Sequence, residues 1–206
     1  MGRYIGASCK ICRRSRVKLY LKGQRCETAK CAIEKRNFPP GPKSVVPKKL
    51  SEFGRRLREK QKLRFFYGVT ETSLRNSFKK ALQQKGVTGH NLLSLLERRI
   101  DNVVFRTKFG RSRKEARQLV RHAHFVLNGK KVTVPSLIVK QGDVLKLQGN
   151  SAEFLKNRYV SVKEKALPNW VSFNDQDQSI TILHSPQREE IDVPVEEQLI
   201  IEYYAR

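Results

Sequence analysis

Long apolar runs are absent: none approaches the roughly 20 residues that a membrane-spanning helix requires, and no secretory leader opens the chain. The first residues, MGRYIG, place Gly6 where an N-terminal acylation signal needs Ser or Thr. A cytosolic protein with no membrane partner is therefore expected. Acids are scarce, with 19 Asp and Glu against 43 Lys and Arg, a formal charge of +24. Such a surplus strains a free globule by self-repulsion and is relieved by a polyanion, which points to nucleic acid. A membrane surface fits less well, because the bases are spread along the chain rather than gathered beside an apolar helix. Cysteine is also scarce, and its four residues all lie between positions 9 and 31. In a reducing compartment, clustered thiols read as metal ligands rather than disulfides. No nucleophile with its base stands out, so neither an enzyme nor a small-molecule substrate is expected. Apolar residues make up 38% of the chain, enough for cores of modest size in one domain or about two to four small modules.

What is present begins with CKICRRSRVKLYLKGQRCETAKC. Cys9, Cys12, Cys26 and Cys31 follow the pattern C-x2-C, a thirteen-residue loop, then C-x4-C. Two close pairs across a short loop suit tetrahedral zinc, and four protein ligands leave no open position for water or substrate, so the role is structural. An iron-sulfur cluster accepts the same thiolates. Lys10, Arg13, Arg14, Arg25 and Lys30 would offset the negative charge of such a centre. Pinning the loop at both ends presents its bases, Arg13 and Arg14 among them, to RNA with less ordering left to do.

Next comes NFPPGPKSVVPKK, whose prolines and glycine make an extended basic linker. Ser51 and Glu52 open a helix with Phe53 and Leu57 on one side, while Arg55, Arg56, Arg58, Lys60, Lys62 and Arg64 crowd the rest. So few acids among so many bases leave little scope for compensating pairs. Nucleic-acid backbone contact is expected there, with Arg55, Arg56 and Lys60 as candidates. ETSLRNSFKKALQQKG predicts a second helix carrying Leu74, Phe78, Ala81 and Leu82 on one face, stopped by Gly86 and paired with the first. From His90, a largely buried helix sets Leu92, Leu96, Ile100 and Val103 in line. Ser112, three residues before Glu115, forms a capping box for a helix starting at Arg113. Ala116, Leu119, Val120 and Ala123 make its apolar stripe, and Arg113, Arg117 and Arg121 form a phosphate ladder on the opposite side. Asn128-Gly129 predicts a two-residue hairpin carrying Lys130 and Lys131, with a further strand from Val144 to Leu147. Trp170 belongs to a strand that packs in the core, and short strands near Ile180 and Ile200 need partners. The acidic stretch Glu189 to Glu202 faces either partner proteins or the basic body of its own chain.

The run FGRSRKEARQLVRHAHFVLNGKKVTVPSLIVKQGDVL resembles the small RNA-binding domain named after bacterial small-subunit ribosomal protein four. The resemblance reaches both ends. MGRYIGASCKICRR and the Cys-rich segment are similar to the metal-binding form of that family, and LPNWVSFNDQDQSITILHSPQREEIDVPVEEQLIIEYYAR is similar to its C-terminal tail. It implies RNA contacts at Arg111, Ser112, Arg113, Arg117 and Arg121, and at Asn128, Gly129, Lys130 and Lys131 of the hairpin. Gly129 would serve by permitting positive φ. It further implies a cytoplasmic constituent of the small ribosomal subunit that binds a multi-helix junction of small-subunit ribosomal RNA and nucleates assembly of the body. Neighbouring ribosomal proteins five and twelve, messenger RNA on its way into the subunit, and an influence on translational accuracy follow from the same resemblance.

The expected architecture is α+β, mainly helical and multi-module. Residues 1–45 hold the four-cysteine metal-binding segment and Pro-rich linker, and residues 46–89 a basic helical domain. Residues 90–152 form a helix-helix-plus-hairpin RNA-binding domain, and residues 153–206 a C-terminal segment packing back on the helical domain. An RNA-modifying or tRNA-charging enzyme carrying the same RNA-binding domain is the competing function, but too little chain lies outside Leu92 to Leu147 for its catalytic domain.

Overall fold

The computed structural model describes residues 4–42, 49–149, 167–174 and 177–205. Linker residues 43–48 and the start of the C-terminal segment, 153–166, lie outside the described residues. In chain order the helices are α1 (Ser8–Ser15), α2 (Ala32–Lys35), α3 (Glu52–Tyr67), α4 (Glu71–Leu82), α5 (Thr88–Glu97), α6 (Ile100–Arg106), α7 (Arg113–Arg121) and α8 (Glu197–Tyr204). The strands are β1 (Phe125–Leu127), β2 (Lys130–Val132), β3 (Val144–Leu147), β4 (Val171–Asn174) and β5 (Ser179–Ile182). The chain divides into two units, Met1–Leu92 with Val193–Arg206, and Leu93–Asp192.

In the first unit, caps set the helix bounds. The Ser51 hydroxyl accepts the Gly54 N–H at 3.2 Å to start α3, and Gly68, at φ +64, ends it in the left-handed conformation that glycine adopts without penalty. Thr70 starts α4 by accepting the Ser73 N–H. The buried face of α3 is Leu63, Phe66 and Tyr67, with Phe53 left half exposed. The face of α4 is Leu74, Phe78 and Ala81, and Leu82 turns out to solvent. The predicted pairing of these two helices gives way to another arrangement, because α3 packs most extensively against α8. That helix buries Ile200 completely and stacks Tyr203 near Phe53 and Tyr204 on Phe78, with ring centroids 5.7 and 4.7 Å apart. The residues near Ile200 are thus helical, not a strand.

In the second unit, the single helix expected from His90 is broken between α5 and α6. Arg99 is extended (ψ 135) and bridges to Ile138. The Ile100 N–H donates to the Leu137 carbonyl and the Val139 N–H to the Arg98 carbonyl, both at 2.9 Å. An incoming strand-like segment therefore takes the backbone groups that a continuous helix would have used. At Gly110 a Cβ would lie 2.8 Å from the Ala116 backbone nitrogen, so only glycine lets the chain pass this close to α7. The sheet is antiparallel throughout, in the order β2-β1-β3-β5-β4. Its helix-facing side, with Phe125, Leu145 and Ile180, joins Val103, Val120 and Trp170 in one core. The strand near Ile180 is therefore a member of this sheet, paired with β3. The C-terminal segment does not return as one piece: its strands complete the sheet, and only Val193 onward belongs to the helical unit.

Candidate nucleic-acid interface

The interface is built on α7 and the hairpin of the second unit. Ser112 caps α7, its hydroxyl accepting the Glu115 N–H at 3.3 Å, while the Glu115 carboxylate reaches back to accept the Arg111 N–H at 2.7 Å. Ser112 thus has a structural task in the fold, and Arg111 is exposed beside it. The three-rung ladder is not uniform. Arg121 is exposed, but Arg117 Nη1 donates to Asp101 Oδ2 at 3.1 Å. Arg113 Nε donates to Asn102 Oδ1 at 2.9 Å, with its guanidinium 4.3 Å above the Phe105 ring. These two lean onto α6 because buried acceptors there draw them in, a pull that spacing on α7 alone does not reveal. Lys114 is exposed on the same helix, a base that the every-fourth-residue pattern passes over.

The hairpin turns as predicted. Asn128 and Gly129 take φ of +48 and +80, the two positive values of a type I′ turn. Asn128 turns its amide into the protein, where Nδ2 donates to Asp143 Oδ1 at 2.8 Å and Oδ1 accepts the Val144 N–H at 2.9 Å. Asp143 Oδ2 also accepts the Lys140 N–H at 2.7 Å, so the two turns are locked together. Register then sorts the lysines. Lys131 and Lys146 both stand opposite Val126, while Lys130 stands opposite Leu127. Residues directly opposite share a face, so Lys131 and Lys146 flank Val126 across about 10 Å of sheet, and Lys130 belongs to the other side. All three lysines are exposed. Lys146 carried no signal in the sequence, because only strand pairing brings it beside Lys131.

Among the helical-unit candidates, Arg55 is exposed and pairs loosely with Glu52 at 3.4 Å. Arg56 is held by Glu202 at 2.7 Å, so part of the acidic stretch meets its own chain. Lys60 corrects the expectation: it is 4% exposed, its ammonium donates to Glu71 Oε1 at 2.9 Å, and it lies 4.6 Å from the Tyr203 ring centroid. A side chain so placed faces the helix packing rather than a ligand. Burial pushes the Glu71 carboxyl up, but hydrogen bonds from Lys60 and Tyr204 and the charges of Lys60 and Arg64 more than offset this, so it sits below the ordinary carboxylate range. The Tyr204 hydroxyl is driven well above the ordinary phenol value by burial and by donating to Glu71.

In the Cys segment, Cys12, Cys26 and Cys31 are buried and Cys9 partly so, all as free thiols. Cys9 and Cys12 sit one turn apart on α1, and Leu19 is fully buried near them in sequence. The Lys22 N–H points at Cys26 Sγ at 3.4 Å. Burial raises the Cys12 thiol, a Leu19 backbone hydrogen bond lowers it, and the charges of Cys26, Cys9 and Cys31 raise it again. Among the described residues, no group of three or more His, Cys, Asp or Glu side chains is assembled for a metal ion. Arg13 and Arg14 hold the start of the linker: Arg13 Nε donates to the Phe38 carbonyl at 2.9 Å with its guanidinium 4.8 Å from that ring, and Arg14 Nη2 reaches the Pro40 carbonyl at 3.4 Å.

Residues 3–97 match the family described as ribosomal protein S4/S9 N-terminal domain, and residues 98–145 match the S4 domain. Among curated relatives, the small ribosomal subunit protein uS4 of Clostridioides difficile is 51% identical over 207 residues, covering all of both chains. Those of Acetivibrio thermocellus and Thermodesulfovibrio yellowstonii are 49% and 46% identical over 210 and 208 residues, again covering both chains completely. With similarity running from end to end of a chain whose exposed bases line α7 and the hairpin, the protein belongs to the uS4 family of small ribosomal subunit proteins.

Proposed function

We propose that the chain is a structural constituent of the small ribosomal subunit in the cytoplasm. It binds small-subunit ribosomal RNA, nucleates assembly of the subunit body and contributes to translational accuracy. The observation that carries this reading is the full-length similarity to relatives named for that subunit. The relatives that match the chain from end to end are named for a ribosomal subunit and not for an RNA-modifying or tRNA-charging enzyme. The mechanism is electrostatic and geometric. Arg111, Arg113, Lys114, Arg117 and Arg121 on and before α7, with Lys131 and Lys146 on the sheet, neutralise phosphates and release counter-ions. A-form RNA is recognised mainly through its backbone shape. Neighbouring ribosomal proteins five and twelve, and messenger RNA on its way into the subunit, complete the proposed surroundings.

The proposal includes a structural zinc ion held by Cys9, Cys12, Cys26 and Cys31. Its support is chemical: the thiols lie within one another's field, and a cation would offset the mutual repulsion of their ionised forms. An iron-sulfur cluster takes the same ligands. When bound, the metal supplies a cross-link between α1 and the residues before α2. Arg13 and Arg14 then hold the linker against a fixed base.

The test is binding by the purified full-length protein. Small-subunit ribosomal RNA should bind far more tightly than duplex DNA of equal length, with a steep salt dependence, and the protein should sediment with small subunits through a high-salt wash. Equal affinity for both nucleic acids would remove the ribosomal reading.

A further inference from the structure

Beneath α7 lies a polar network that the basic surface alone does not require. Asp101, in the first turn of α6, is 5% exposed. Its Oδ1 accepts from Arg99 Nε at 3.2 Å, and its Oδ2 accepts from Arg99 Nη2 at 3.0 Å and from Arg117 Nη1 at 3.1 Å. One residue on, buried Asn102 accepts Arg113 Nε through Oδ1 and donates through Nδ2 to Glu97, at 3.0 Å to the carbonyl and 2.6 Å to Oε2. Glu97 is fixed in turn by the two-pronged grip of Arg106, at 2.9 and 2.6 Å. Successive rungs of α7 are therefore each held by an acceptor on α6, and each acceptor is itself held by a further group.

Burying carboxylates is costly unless they are fully paired, and Val103, Val104, Ala116 and Val120 already seal the α6–α7 contact without them. A loose arginine surrenders rotamer freedom when it meets a phosphate, whereas one already tethered has less to lose. We propose that Asp101 is a positioning residue for the RNA face. It orders the Arg117 guanidinium before RNA arrives, and Asn102 does the same for Arg113. The proposal rests on the RNA-binding reading above. Simple charge counting predicts the opposite sign: Asp101→Asn removes a negative charge near the face and should tighten binding.

The experiment measures affinity for small-subunit ribosomal RNA across a salt series at a temperature where every variant is folded. Asp101→Asn should weaken binding about tenfold and flatten the log–log salt slope by about one. Asp101→Glu, which keeps a carboxylate, should recover most of the loss. Combined with Arg117→Gln, Asp101→Asn should add nothing further, since it acts through that arginine. Asp177→Asn, at an exposed acid, serves as the charge control and should leave affinity unchanged or slightly raised. Unchanged or tighter binding by Asp101→Asn, or additive losses in the double variant, overturns the proposal. Nitrogen-15 spectra of arginine side chains need no variant at all. Arg117 should show hindered guanidinium rotation in the free protein, and free rotation there also overturns the proposal. Failure of the wild type to prefer ribosomal RNA over duplex DNA sinks the underlying reading instead, and is visible separately.

Discussion

Lys60 carries a charge into a nearly closed site and is retained there by three partners: the Glu71 carboxylate, the Tyr203 ring and, through Glu71, the Tyr204 hydroxyl. Removing one member leaves the others desolvated and unpaired. Lys60→Ala should therefore cost roughly 1–3 kcal/mol, less than for a wholly enclosed pair because Glu71 is partly exposed. Urea denaturation measures that cost, and RNA affinity of the folded variant should be unchanged. The pH dependence follows from the depressed Glu71 carboxyl. A group whose folded pKa lies below its unfolded value, about 4.3 for glutamate, contributes stability that is complete above that value and is lost as pH falls through the lower folded one. Thermal melts should show a slope in this acidic window that Glu71→Gln reduces, and an unaltered slope would assign it to other carboxylates. The contrast with Arg55 shows what the sequence could convey. Both residues are bases on α3, visible as charge, but which of them turns inward depends on Glu71 of α4 and Tyr203 of α8, whose placement the residues of α3 do not state.

Elements were most legible where a local cap or turn dictates them. Ser51 and Ser112 each start the helix that follows, and Asn128-Gly129 makes the hairpin, because these decisions rest on side chains within a few residues. Gly129→Ala should accordingly lose about 1–2 kcal/mol, the cost of left-handed backbone for a residue with a Cβ. Differential scanning calorimetry checks this, and Gly129→Asn should fall between the two. Illegible were the elements decided at a distance. The break at Arg98 and Arg99 depends on backbone donors and acceptors from 137–139. The helix at Glu197–Tyr204 is too short to announce itself against two adjacent isoleucines and two tyrosines, all good strand formers. That helix matters to the first unit: Ile200 is fully buried on it. Ile200→Ala should destabilise by roughly 2–5 kcal/mol through the lost methylenes and the cavity they leave. Hydrogen exchange should localise the effect to α3, α4 and α8.

At the scale of the whole molecule, the +24 charge is sorted rather than merely abundant. Acids stand where they organise bases, with Glu202 on Arg56, Glu71 on Lys60, and Asp101 on Arg99 and Arg117. The polyanion partner was legible from totals alone, whereas this division of labour was not, because spacing does not say which acid meets which base: the separations run from 2 residues for Arg99 and Asp101 to 146 for Arg56 and Glu202. The amino-terminal segment is the extreme case. Its buried thiols and the bases around them are held by the Lys22 amide on Cys26, by the ion pair of Lys18 with Glu34, and by Arg13 and Arg14 on linker carbonyls 25 and 26 residues further on. Helices as short as α1 and α2 have little stability of their own, and a metal joining the four sulfurs would add a cross-link between them. Protein purified without chelator should therefore contain one zinc ion or an iron-sulfur cluster by elemental analysis. Stripping the metal, or substituting Cys12→Ser, should open the chain between Ser8 and Lys35 to protease while leaving the second unit's melting transition in place. Because the ligands must shed protons to bind, retention of the metal should weaken as pH falls. A metal-free protein whose first 35 residues resist protease equally well would show instead that burial of Ile11, Leu19 and the thiols holds the segment unaided.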